Sequence, residues 1–200
     1  VTRSGTVRPG GRTARVREAV REATLAELAE KGYDRMTVEG VALRAGVHKT
    51  TVYRRWGSVE GLAADALDLA VAEPWPVPDT GTIEGDLREL TRLVLDGFAD
   101  PEMGPVSTAF VRASARDPVV ARALRAFFAA RHEQSALLVT RAVERGELPG
   151  DIDAADLIRT AVAPLYYRLF VSGEPVDEQV ADRAAAAALA AARAGVFRPR

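Results

Sequence analysis

Between Thr37 and Trp56 the apolar pattern of this chain runs for two helical turns, stops at a glycine and restarts, all within 20 residues. Val38, Val41, Ala42 and Ala45 fall on one face at helical spacing. Thr37 precedes them with a hydroxyl suited to cap the first free amides, and Gly46 follows them where a left-handed C′ position favours glycine. Val47 resumes the apolar pattern and His48 opens a second short helix. On it Val52 and Trp56 are four apart, so both can dock on the first helix. The rest of that helix carries Lys49, Thr50, Thr51, Tyr53, Arg54 and Arg55. Cations, hydroxyls and one phenol on a helix with an apolar spine suit a nucleic-acid groove.

Two short helices around a glycine occur in many helical proteins, so charge has to separate the readings. Residues 1–57 hold 12 Lys+Arg against 6 Asp+Glu, whereas residues 58–200 hold 15 against 22. A near-neutral chain divided in this way is expected to have one end that binds a polyanion and one that does not.

The run KGYDRMTVEGVALRAGVHKTTVYRRWGSVEGL, residues 31–62, resembles the N-terminal domain of the TetR family of bacterial transcriptional regulators. The resemblance rests on Gly32-Tyr33, Thr37-Val38, Ala45-Gly46-Val47, Thr51-Val52-Tyr53, Trp56, and Ser58, Glu60 and Leu62 opening the next helix. Three positions depart from the family pattern. Gly40 replaces a better helix former and either costs stability or permits close packing. Gly57 stands for a frequent proline, and Val59 for a lysine that touches phosphate in many relatives. The resemblance implies phosphate contacts from Thr37, Thr51, Tyr53 and Arg55, and base contacts from Lys49, Thr50 and Arg54. An arginine at position 54 suits guanine. His48 either touches phosphate or caps its helix. Arg12 and Arg15 are expected near the backbone at the start of the first long helix. The preceding arm, with Arg3, Arg8 and Pro9-Gly10-Gly11, is either a DNA-contacting extension or a solubilising tail.

The rest of the chain reads as helices, giving an all-α, nine-helix, two-domain architecture. The expected organisation is a basic arm over 1–11, a helix-turn-helix domain over 12–57, a connecting helix over 58–71, a linker over 72–81 and a helical body over 82–200. The first long helix is expected over Arg12–Lys31, with Val16, Val20, Ala23, Thr24 and Leu28 inward. AEPWPVPDTG, residues 72–81, stops the connecting helix with three prolines. Its Trp75 either packs or borders a pocket mouth. Further helices are expected over Ile83–Ala99, Val106–Arg116, Pro118–Arg145, Ala154–Val171 (kinked at Pro164) and Asp177–Ala194.

Ten of the 14 residues from 181 to 194 are alanine, a surface that another backbone can approach closely. PLYYRLFVSGEPVDEQV resembles a C-terminal segment of one TetR branch, in which the last two helices of each subunit form a four-helix bundle. That implies a two-fold homodimer through Ile158, Val162, Leu165, Leu169, Ala184, Ala188 and Ala191. The alternative is that both helices complete the core of one subunit. The resemblance also implies a small-molecule effector pocket in the body, with Phe98, Phe110, Phe127, His132 and Tyr166 as candidates; aromatics at helical spacing also serve as plain core.

The chemistry of catalysis is sparse. The chain has no cysteine and only His48 and His132, and it shows neither a phosphate-cradling glycine loop nor metal-ligand spacing. Asp151, Asp153 and Asp156 read as an acidic first turn. No enzyme activity, cofactor or metal is expected. No apolar run approaches the roughly 20 residues of a membrane span, and the first residues lack the apolar segment of a secretory signal. The expectation is a cytoplasmic, ligand-responsive repressor that binds double-stranded operator DNA as a homodimer. The competing reading is a helical interaction module without DNA binding.

Overall fold

The computed structural model describes residues 11–198, in which there are nine α-helices and no strand. The arginines at positions 3 and 8, and with them almost all of the expected arm, lie outside the described residues. The helices are α1 (Gly11–Lys31), α2 (Val38–Arg44), α3 (Lys49–Trp56), α4 (Val59–Val71), α5 (Ile83–Ala99), α6 (Met103–Ser114), α7 (Pro118–Glu144), α8 (Ala154–Tyr167) and α9 (Glu178–Arg193).

The described chain forms two compact units. One holds residues up to Ala70 together with Pro105–Arg125; the other holds Val71–Gly104 and Ala126 onward. The body expected over 82–200 is therefore not one unit. Most of α6 and the first turns of α7 group with the N-terminal helices, because Val106, Ala109, Phe110, Ala113, Val120 and Leu124 are buried there.

In the N-terminal unit, α1 packs on α2 and α2 on α3. Gly46 (φ 63°) turns the chain between α2 and α3. The amide of Val47 reaches the carbonyl of Ala42 at 3.0 Å and that of Gly46 reaches Leu43 at 3.2 Å, closing the helix with a Schellman pair. Gly40 is there for packing: a Cβ would lie 2.8 Å from Glu27 Oε2 and 3.0 Å from Thr37 Oγ1. Glu27 is buried but paired, with Lys31 Nζ at 2.6 Å and Arg44 Nε at 3.3 Å. A charge buried in this manner is tolerable only while its partners hold it. At the other end of the motif, a Cβ on Gly61 would lie 1.9 Å from the Trp56 carbonyl oxygen, so α4 begins directly against the end of α3.

The centre of this unit is Asp65 on α4. It accepts from Trp56 Nε1 on α3 at 2.8 Å and from Arg17 on α1 at 2.6 Å, while Arg17 also reaches Asp68 at 2.7 Å. Burial of Asp65 opposes ionisation, yet the hydrogen bonds from Arg17 and Trp56 outweigh it and hold the carboxyl below its ordinary range. The same contacts, those to Asp65 first, raise the Arg17 guanidinium.

In the second unit α5, α8 and α9 pack together around Leu87, Leu90, Ile158, Ala161, Leu165, Ala185 and Ala188. The segment expected as a linker is held to the second unit by hydrogen bonds. Trp75 Nε1 donates to Ser135 at 3.1 Å, Arg141 to the Pro78 carbonyl at 3.2 Å, and Thr80 donates from its backbone amide (2.6 Å) and its hydroxyl (2.8 Å) to buried Asp86. Helix α5 has the bounds expected, capped by Thr82. Helix α6 starts three residues earlier than expected, at Met103. Asp100 caps it by accepting from the Glu102 and Met103 amides, and Pro105 sits in the first turn, where a missing amide costs nothing. Helix α8 contains Pro164 and gives way after Tyr167 to a π-helical turn, Arg168–Ser172.

Two outcomes follow for stability. Gly40→Ala, which in an open helix interior gains about 1 kcal/mol, should here lower the urea midpoint, because the added carbon displaces the Glu27 carboxylate. The lowered Asp65 carboxyl contributes stability that is present above its unfolded value of about 3.9 and lost as pH falls through the folded value. The wild-type melting temperature should therefore drop more steeply than that of Asp65→Asn between about pH 5 and pH 3. Parallel curves would mean that the ion pair contributes nothing.

Candidate nucleic-acid interface

Helix α3 is held from behind by Val52 and Trp56, at 0 and 9% exposure, so its opposite face is fixed outward. His48 is the N-cap: its Nδ1 accepts from the Thr50 amide at 3.4 Å and lies 2.7 Å from Thr50 Oγ. Lys49, Thr50, Tyr53, Arg54 and Arg55 are exposed and Thr51 is half-buried.

Phosphates accept hydrogen bonds, so the useful question is which side chains have a proton to give. Thr37 caps α2 by accepting from the Gly40 amide at 3.0 Å, which leaves its hydroxyl proton available. Among the described residues, Lys49 and Arg54 make no hydrogen bond within the chain. Arg55 lies 4.9 Å over the Trp56 ring and makes one long bond, 3.4 Å, to the Thr13 carbonyl. Arg15, exposed on α1, donates to the Gly11 carbonyl at 3.1 Å; the side chain of Arg12 lies outside the described residues. Tyr53 differs: its hydroxyl donates to Glu39 Oε1 on α2 at 2.9 Å.

Four of the five effector candidates come together in the second unit. Tyr166 meets Phe98 and Phe128 edge-on at 5.5 Å, Phe128 stacks with His132 at 6.2 Å and meets Phe127 at 5.5 Å, and Phe170 approaches Phe98 at 5.4 Å. Among the described residues neither the Tyr166 hydroxyl nor the His132 ring has a hydrogen-bond partner. Burial raises the Tyr166 phenol above its ordinary value. Burial first, then the charge of Arg159, lowers His132, favouring a neutral ring. Phe110 does not join them: it is buried in the N-terminal unit, with no ring contact among the described residues.

Most of the dimer residues read from the sequence lie in the core of the single chain. Ile158, Val162, Leu165, Ala184 and Ala188 are at most 6% exposed within the single chain, because they face α5 and each other. Leu169 and Ala191 are half-buried. The outer faces of the same helices are Thr160, Ala163, Tyr167 and Val171 beyond α8, and Arg183, Ala186, Ala187 and Ala190 on α9.

Sequence reasoning missed Asp65, Glu39, Phe128 and Phe170 as parts of these sites. Phe128 stands four residues before His132 and Phe170 four after Tyr166, a spacing that places each pair on one helix face. Asp65 had a weaker signal, an acid set among the apolar stripe of α4. Glu39 had none, since its partner lies across the turn.

The comparisons with known proteins agree with this geometry. Residues 20–66 match the family described as bacterial regulatory proteins, tetR family, and residues 77–188 match the tetracyclin repressor-like C-terminal domain. The HTH-type transcriptional regulator AqdR of Rhodococcus erythropolis is 35% identical over 149 residues, covering 74% of this chain and 72% of that protein. The DNA-binding transcriptional repressor TetR of Mycobacteroides abscessus is 33% identical over 167 residues, covering 80% and 84%. The crystal structure of the TetR family transcription regulator SCO0332 superposes with a TM-score of 0.70 at 30% identity, covering 88% of this chain and 97% of that one. A DNA-reading motif at one end, a matching C-terminal domain behind it and regulators of nearly the same extent displace the interaction-module reading: the chain belongs to the TetR family of bacterial transcriptional regulators and is a non-enzymatic DNA-binding regulator.

Proposed function

We propose that this regulator represses transcription by binding an inverted-repeat operator as a homodimer, and that a small apolar effector releases it. The observation that carries the DNA part is the outward face of α3, where Lys49, Thr50 and Arg54 stand on a helix locked by Val52 and Trp56. In this reading these three contact base edges, while Thr37, Thr51, Arg55, Arg15 and Arg12 contact the backbone. Two copies of α3 would enter successive major grooves roughly 34 Å apart, so the operator is two-fold symmetric.

The dimer reading draws on the outer faces of α8 and α9. Tyr167 is 58% and Val171 70% exposed, and Ala186, Ala187 and Ala190 are exposed small residues on α9, flanked by Arg183 and Arg193. The effector reading draws on Phe98, Phe127, His132 and Tyr166, where a hydroxyl and a ring without hydrogen-bond partners among the described residues stand beside aromatic rings. That combination suits an apolar, partly aromatic molecule with one polar group. The repressor reading is favoured by the name of the Mycobacteroides abscessus relative.

Selection of bound duplexes from a random pool tests the reading directly. An enriched inverted repeat is expected; enrichment of single half-sites would remove the dimer, and no enrichment would remove operator recognition. Arg54→Ala should weaken operator binding by about 1–3 kcal/mol and relax one base preference; an equal loss on random DNA would make Arg54 a phosphate contact. Titration with apolar aromatic compounds should lower operator affinity by a coupling of about 1–3 kcal/mol. If no compound that binds the protein changed DNA affinity, the effector switch would be lost.

A further inference from the structure

Tyr53 and Glu39 stand on the face that the proposed function turns to DNA, and they are joined by the 2.9 Å hydrogen bond from phenol to carboxylate. A phenol has one proton, and a phosphate oxygen has none. Tyr53 therefore cannot donate to a phosphate while it donates to Glu39, and its own oxygen has nothing to accept from a phosphate. Glu39 is exposed, its carboxyl held below the ordinary range first by Tyr53, then by its own backbone amide, with Lys49 adding attraction. The Tyr53 phenol is raised, again first by this bond. An acid this close to the reading helix also repels the phosphates themselves. Charged acceptors make the stronger hydrogen bonds, and both competitors here are anions, so the one already in place holds an advantage of proximity.

We infer that Glu39 withholds the Tyr53 proton from the DNA backbone and thereby sets this regulator's affinity below what its reading helix could reach. Tyr53 is then not a phosphate donor in the wild-type protein, and Glu39 is an affinity-limiting residue that contacts no base. The inference rests on the DNA-binding reading given above.

The test is a double-mutant cycle, measured as equilibrium binding to the selected operator and to a random duplex at one salt concentration. Both side chains are exposed, so Glu39→Ala and Tyr53→Phe leave the core untouched. Tyr53→Phe alone should change affinity less than about twofold, whereas in the Glu39→Ala background it should cost about two- to tenfold, the range of a net hydrogen bond. Glu39→Ala alone should tighten binding to both duplexes. Glu39→Gln removes the charge but keeps an acceptor, so Tyr53→Phe should be silent beside it. An equal loss from Tyr53→Phe in the presence and absence of Glu39 would overturn the inference, as would no loss in either background, or weaker binding by Glu39→Ala. Failure of the wild-type protein to bind any duplex at low salt would instead overturn the DNA-binding reading.

Discussion

The DNA-reading geometry depends on one carboxylate, Asp65. Helix α3 is only eight residues long and is far too short to persist alone. Its orientation comes from Trp56, and the Trp56 indole is aimed by Asp65, whose other oxygen is occupied by Arg17 of α1. One side chain thus fixes three helices with respect to one another. An indole nitrogen needs an acceptor once its ring is buried, and a half-buried carboxylate needs a cation; each requirement answers the other. The glycine at position 61 belongs to the same arrangement, because only a residue without a side chain lets α4 start close enough for Asp65 to reach Trp56.

How much of this could be read beforehand divides along a physical line. Features set by local chemistry were legible. The cap at Thr37, the turn at Gly46, the bounds of α5 between Thr82 and Asp100 and the stop of α1 at Gly32 follow from residues within one turn of the event. The exception is the early start of α6, which takes in Pro105 at a position where proline is harmless. Features set by distant partners were not legible. Periodicity shows that one face of α8 and α9 is apolar but not what covers it. Ile158, Leu165 and Ala188 therefore read as interface when α5 already buries them. Likewise Phe110 is of the same type as the aromatics of the second unit, and only the fold assigns it elsewhere.

The candidate site was legible as a set of residue types and opaque as a set of protons. Among the described residues, Lys49 and Arg54 make no hydrogen bond within the chain. His48 is resolved as a cap by its Nδ1. Tyr53, which stands beside them in sequence and exposure, is committed to Glu39 14 residues away. A helical wheel treats these residues alike; hydrogen-bond bookkeeping does not, and it is the second that governs what a polyanion meets.

The reading end is not a contiguous piece of chain. Residues 105–125 close the N-terminal unit: Tyr33 donates to Asp117 at 3.0 Å and Arg116 pairs with Asp34 at 2.8 Å, around a groove of about 500 Å³ lined by α1, its following turn and α6. The head is therefore no portable cassette. A chimera that joined residues 1–70 of this chain to another regulator would sever these ties and leave the apolar underside of α1 facing a stranger's helix. The unit that carries the reading helix in this architecture includes a second, distant stretch of sequence.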